Sequence, residues 1–306
     1  MAVLKPSYSK TPVKIHQGKN REIADFTSPA NDQNIDMDVV KSFGDEWTKF
    51  HTFSKSTLKK ICDEYFDIVD ASIVNGQTRM IDIGCGSGRW SEYFTDKAGF
   101  IDAVDPSEAI FAADDLLEKK ENIRLTRASV NTLPWDDETF DFGMSIGVLH
   151  HIPDTGAALA SCVKKIKKGG YFYLYIYYKL DNRGPLFKFV FGIADMVRRT
   201  VCKLPPKTKK TVCDILAVVA YMPFVYTARF FKFIGLKKFA ERIPLYAYAN
   251  KDFYIIRNDS LDRFGTKLEQ RFTKQEITSM MKNAGLEEIR FSDAAAFWHA
   301  VGKRVR

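Results

Sequence analysis

The sequence is short of the residues that mark fibrous and disulfide-rich chains. Only 11 of its 306 residues are proline and 18 are glycine, and no segment is of low complexity. With 45% hydrophobic residues it is also too apolar for wholesale disorder. Cysteine is scarce and odd in number: Cys62, Cys85, Cys162, Cys202 and Cys213 are widely spaced and form no C-x-x-C. That excludes a zinc ribbon and a thioredoxin-like site, leaves no metal motif, and reads as free thiols buried in a reducing compartment. Residues 1–14 carry no apolar leader segment. The longest uncharged stretch, residues 215–228, contains Pro223 and is shorter than the roughly 20 apolar residues that span a bilayer. The expectation is a cytoplasmic protein with no spanning helix.

What is abundant is positive charge, 46 Lys and Arg against 38 Asp and Glu, a net +8. The excess is local. Residues 183–245 hold 13 basic and three acidic side chains, a net +10, so the rest of the chain is slightly acidic. A basic balance outside the glycine-motif region described below is poor support for a nucleic-acid enzyme. It bears instead on an acceptor, a partner or a membrane surface.

Hydrophobic periodicity divides the chain into four parts. Residues 1–38 mix charge, Pro, Asn and Ser without a clear period and read as a loosely packed arm. From residue 39 the spacing is helical, with Val40, Phe43, Trp47 and Phe50 on one side, and a second helix is predicted over residues 56–73. Strand and helix then alternate to about residue 180. Strands are predicted at residues 79–83, 101–104, 123–126, 140–146 and 171–178, and helices at 107–119, capped by Ser107, and at 155–167. That rhythm implies a parallel sheet covered by helices on both faces. Residues 181–262 break it with aromatic, basic helical stretches interrupted at Pro205-Pro206 and Pro223. Residues 263–306 return to it, with a helix ending at Gly285 and strands at 288–291 and 297–301.

The most informative segment is Met80-Ile81-Asp82-Ile83-Gly84-Cys85-Gly86-Ser87-Gly88-Arg89. Glycine at every second position after an apolar strand lets the backbone turn sharply and lets a ligand approach closely. A dinucleotide fingerprint would need glycine at Arg89, and no G-K-[ST] follows, so neither a pyrophosphate cradle nor a Walker loop is written. Asp105 ends the next strand, where a carboxylate can accept hydrogen bonds from both hydroxyls of a ribose. Asp82 is an unusual residue for a central strand, because a buried carboxylate needs donors or a cation.

With these residues the sequence resembles the class I S-adenosylmethionine-dependent methyltransferases. Asp82 to Gly88 is similar to the family's acidic-x-Gly-x-Gly-x-Gly motif, and Asp105 to its ribose-binding acid. Leu133-Pro134-Trp135 with Phe140-Asp141, Val148-Leu149-His150-His151-Ile152 and Lys168-Gly169-Gly170 are similar to its later segments. The resemblance covers residues 79–178. It implies a Rossmann-like α/β sheet of seven strands with an antiparallel last strand, and S-adenosyl-L-methionine as cofactor, released as S-adenosyl-L-homocysteine. The cofactor-binding residues it implies are Asp82, Gly84, Cys85, Gly86, Gly88, Asp105, Pro106, Ser129, Val130 and Ile146, with Trp47 from the preceding helix. Ser129 stands where the family often carries Asp toward the adenine amino group.

Methyl transfer from a sulfonium requires alignment and exclusion of water, and a base only where the acceptor must lose a proton. His150 and His151 follow the fourth core strand at the sheet edge that holds ligands, and suit that role. Tyr177, Tyr178 and Arg257 are candidate acceptor contacts, with Arg263 a further cation. The expectation is methylation of a small molecule or a glycan or lipid precursor, at oxygen, with a histidine base. The segments around Arg263 and Trp298 also resemble, loosely, methyltransferases of bacterial surface-saccharide pathways. Sulfur or nitrogen methylation without a base, RNA methylation and a non-catalytic scaffold remain open. The base-gripping Pro-Pro motif of nucleic-acid aminomethylases is replaced here by Ser145-Ile146-Gly147-Val148. The basic insertion is read as a lid, a homodimer surface or a membrane-facing patch.

Overall fold

The computed structural model describes residues 3, 5–28, 34–37, 39–41, 44, 55–180, 184–293 and 298–306. The chain forms two compact units, one of Met1–Asp181 with Gln270–Arg306, the other of Asn182–Glu269. The insertion thus runs to residue 269, a few residues beyond the boundary read from composition.

The core unit is built on one sheet of nine strands in the order β1-β2-β5-β4-β3-β6-β7-β9-β8. These are β1 (Lys14–Gln17), β2 (Glu22–Asp25), β3 (Arg79–Ile83), β4 (Phe100–Val104), β5 (Ile123–Arg127), β6 (Phe140–Ile146), β7 (Ile166–Tyr175), β8 (Leu286–Phe291) and β9 (Ala300–Arg304). Pairing from β2 through β7 is parallel, whereas β9 runs antiparallel to both β7 and β8. Seven strands, β3 to β9, make the expected doubly wound sheet.

The other two strands correct the reading of residues 1–38 as a loose arm. Burial alternates along β2, with Ile23 and Asp25 turned inward, and β2 adds to the sheet edge beside β5. Further upstream, Tyr8 bonds Thr126 at 2.8 Å, and the Arg124 guanidinium donates to the Pro6 carbonyl at 2.7 Å and to buried Asp102 at 2.5 Å. A desolvated carboxylate is tolerable inside β4 because that cation is fixed beside it.

β3 shows how the sheet feeds its two faces. Ile81 and Ile83 join one apolar cluster while Met80 joins the other, as strand alternation requires. On the Met80 face lie α1 (Lys55–Tyr65), α2 (Arg89–Thr95) and α3 (Ala109–Leu116), through Cys62, Phe94 and Ala113. On the other lie α4 (Thr155–Val163) and, later in the chain, the helix Lys274–Asn283, through Leu159 and Ile277. α1 is shorter than predicted, stopping at Tyr65 ahead of turns bonded to Asp70. α4 stops at Val163 because β7 starts before the Gly169-Gly170 pair rather than after it. Ser107 accepts the Ala109 amide at 3.2 Å, but the cap position before α3 is Glu108, so Ser107 stands one residue ahead of the cap expected of it. The helix Lys274–Asn283 opens on a reciprocal Thr273–Glu276 capping box and ends at Gly285, whose φ of 91° is left-handed. All five cysteines are free and buried.

The second unit is helical: α5 (Pro185–Val201), α6 (Pro206–Phe233) and α7 (Phe253–Gly265), around Cys213, Ala217, Tyr221, Ile256 and Phe264. Pro206 starts α6, as expected, but Pro223 does not break it. Proline removes an amide and presses on the carbonyl four residues earlier. Residues Ala217–Tyr221 widen into a π turn at that point, which absorbs both defects and leaves one helix of 28 residues. By length and composition α6 is long and apolar enough to cross a membrane, contrary to the reading from the sequence.

Candidate functional site

The strand order reverses between β3 and β6, since β4 and β5 lie to one side and β7 to the other. In open parallel sheets the crevice beyond the carboxyl ends at such a reversal receives ligands. Here it is flanked by Gly84 after β3 and Gly147 after β6.

Gly84, Gly86 and Gly88 all have positive φ, of 82°, 55° and 81°. A Cβ at Gly84 would stand 2.4 Å from Val148 Cγ2, and one at Gly88 would stand 2.8 Å from Leu117 Cδ1. Substitution is therefore blocked by backbone strain and by packing together. The Gly84 and Cys85 amides donate to the Val104 carbonyl, and the Gly86 amide donates to Asp105 Oδ2 at 2.9 Å. Asp105 Oδ1 accepts from both the amide and the hydroxyl of Ser107. Burial nevertheless pushes the Asp105 carboxyl up from the ordinary range. Cys85 turns its thiol to the Gly86 carbonyl at 3.7 Å, and burial raises it well above the usual thiol value.

Asp82 is fully buried. Ser91 donates to its Oδ2 at 2.6 Å, while Oδ1 has no hydrogen-bond partner among the described residues. Burial pushes the carboxyl up to about 7, against the Ser91 bond and with help from Asp105. An orphaned carboxylate oxygen beside a glycine cradle is a place for a donor from a ligand. These features fit a nucleoside cofactor with a cationic amino group.

The Ser129 hydroxyl lies 3.1 Å from Thr132 Oγ1 and accepts the Asn131 amide at 3.2 Å, so it is engaged within its own turn. Val130 and Ile146 are buried, and the Pro106 carbonyl accepts from Arg127 at 3.1 Å. Trp47, the expected aromatic cover, and Phe50 lie outside the described residues.

Past β6, Gly147 (φ 73°) has open space where a Cβ would stand. A single 3-10 turn, Leu149–His151, follows. The His150 ring is fully buried, 3.9 Å from the ring of His151 and 4.0 Å from that of Tyr177, centre to centre. Neither of its nitrogens has a hydrogen-bond partner among the described residues. Burial, then the neighbouring His151 and Arg271, hold its pKa well below the usual histidine value, so the ring is neutral.

The expected site residues are thus only partly brought together. Tyr177 joins the histidines, but Tyr178 turns to Trp298, 6.2 Å away, as neighbouring residues of an extended segment must. Arg257 lies in the insertion unit, gripped bidentately by Asp214 at 2.9 and 2.7 Å, and Arg263 sits 3.4 Å from Asp259. Two residues went unnoticed in the sequence. The Gln270 amide donates to the His150 carbonyl at 3.0 Å, and its side chain to the Ile152 carbonyl at 2.7 Å. Arg271 stands over the Tyr177 ring at 5.0 Å. The bonds of Phe272 with Tyr177 and Lys179 carry this segment in. No spacing pattern could have found a contact across the whole insertion.

The chain is similar to known methyltransferases. A family model described as a methyltransferase domain matches residues 81–174. The ubiquinone biosynthesis O-methyltransferase of Hahella chejuensis is 27% identical over 167 residues, covering 53% of this chain and 68% of that protein. Its namesake in Rhodopseudomonas palustris is 38% identical over 93 residues, covering 30% of this chain and 37% of that protein. Over most such relatives the chain therefore spans half of their length or less. Human N-acetylserotonin methyltransferase, solved with S-adenosylmethionine, superposes with a TM-score of 0.50 at 14% identity, covering 86% of this chain and 57% of that one, which shows the shared fold. Residues 81–174 of the core unit thus match a methyltransferase domain, and the sheet around them has the fold of a solved methyltransferase.

Proposed function

We propose that the protein transfers a methyl group from S-adenosylmethionine to a hydroxyl oxygen of a small molecule, with His150 as the base. The cofactor, when bound, supplies an electrophilic methyl on sulfur. The loop Gly84–Gly88 gives it backbone to lie against, and Asp105 a carboxylate for its sugar. The free oxygen of Asp82 offers an acceptor for its amino group, and Val130 and Ile146 wall the base. Ser129 serves through its backbone and turn rather than through a free hydroxyl.

The observation that carries the reading is His150. A buried imidazole whose two nitrogens find no partner among the described residues is costly unless something binds there. As the acceptor oxygen takes the methyl carbon from sulfur, which keeps the bonding pair, His150 accepts the hydroxyl proton at a ring nitrogen. Its depressed pKa makes it a weak base, and Arg271 nearby opposes the imidazolium. The acceptor best matched is therefore an acidic hydroxyl, such as a phenol, whose proton leaves readily. Arg271 over Tyr177 then balances the partial negative charge of that oxygen. Two relatives carry O-methyltransferase names, which supports oxygen over nitrogen or sulfur.

The test is incubation with methyl-labelled cofactor and fractionated pools of metabolites, lipids, glycans and RNA. Label should enter a small-molecule or lipid-precursor fraction bearing an acidic hydroxyl. Cofactor binding without transfer to any pool would leave a scaffold instead.

A further inference from the structure

We propose that the insertion unit docks on an anionic phospholipid surface through the outer face of α6. This goes beyond the methyl-transfer reading and does not depend on it. The buried residues of α6, Cys213, Ala217, Tyr221, Val225 and Ala228, recur at steps of four and three and form its packed face. Ile215, Val219, Tyr226, Phe230 and Phe233 recur at matching steps on the opposite side, and all are exposed, Phe233 to 89%. On α5, Phe189, Ile193 and Met196 repeat the pattern, with Met196 71% exposed. A helix apolar on both faces but packed on one has a second surface to cover, and large apolar patches mark interaction sites.

Charge selects the occupant. No charged residue falls between Asp214 and Arg229, while cations bracket the apolar stretch at both ends. Lys188, Lys203, Lys207, Lys237, Lys238 and Arg242 have no acidic partner among the described residues. A second copy of so basic a surface would be repelled, whereas anionic headgroups neutralise it and acyl chains take the aromatic side chains. The same structure argues for lying on the bilayer rather than crossing it. The inner face of α6 is tied to the unit by Tyr221, which donates to Asp259 at 2.6 Å. Crossing would strip that contact and carry a carboxylate toward hydrocarbon.

Flotation of the full chain with vesicles tests this. Equal parts of phosphatidylcholine and phosphatidylglycerol should carry the protein at low salt and release it at high salt, while phosphatidylcholine alone should not carry it. The double variant Lys237→Glu/Lys238→Glu should bind roughly tenfold more weakly or worse. Phe230→Ser/Phe233→Ser should abolish flotation with its circular dichroism unchanged, since both rings are exposed. Failure to float at low salt, or equal binding to neutral vesicles, would overturn the proposal. So would a dimer that the phenylalanine variant dissociates while the wild type ignores vesicles.

Discussion

The Asp105 carboxylate accepts the Gly86 amide at 2.9 Å, so the residue just after β4 fixes the loop that follows β3. Its other oxygen is committed to Ser107. An asparagine can satisfy only one of these sides, because its amide would meet the other donors with a donor of its own. Each charge-assisted bond is worth about 1.5–3 kcal/mol. Asp105→Asn should therefore weaken cofactor binding about ten- to a hundredfold, read by titration calorimetry.

Asp82 makes stability and binding depend on pH in opposite senses. Its carboxyl rises from 3.8 to about 7 in the fold, so the folded chain prefers it protonated. That preference contributes stability in full below the unfolded value and is lost as pH rises through about 7. The melting temperature of the ligand-free protein should fall across that window, and Asp82→Asn should flatten the slope. The cofactor's amino group favours the carboxylate, so wild-type affinity should strengthen over the same window and that of Asp82→Asn should not.

His150→Asn should lower kcat by about a hundredfold or more, the range of a lost general base, with cofactor affinity intact. The depressed pKa keeps the ring neutral, so the wild-type rate should show no fall on the acid side near pH 6.5, the ordinary histidine value. His151→Asn should cost less. A steady-state pH profile of the three proteins checks both points.

Gly84 and Gly169 share a φ of 82°, but a Cβ meets Val148 at the first and nothing at the second. Alanine at either place costs about 1–2 kcal/mol of backbone strain. Only Gly84→Ala should add overpacking, about 1–3 kcal/mol more. Urea denaturation of the pair measures the difference.

The core sheet and cofactor loop were legible in the sequence because both are local. β3 is a continuous apolar run closed by glycines, and Asp105 follows the next strand within one β-α-β unit. What escaped was set by distance along the chain or by missing periodicity. β1 and β2 are four residues each, among polar neighbours, and become strands only by pairing with each other and, at β2, with Thr126 and Arg127 of β5. Pro223 read as a break because a π turn has no sequence signature. Arg257 read as an acceptor contact because its partner Asp214 lies 43 residues away, and Arg271 was missed for the converse reason.

The chemical identity of the methylated atom tests the central claim most directly. With carbon-13 in the transferred methyl, the product's carbon resonance separates a methoxy group from S-methyl and N-methyl groups. A methoxy signal that appears with the wild type and is lost in His150→Asn, with cofactor binding unchanged, is the expected result. A signal at sulfur or nitrogen, or a methoxy signal undiminished without His150, would contradict it.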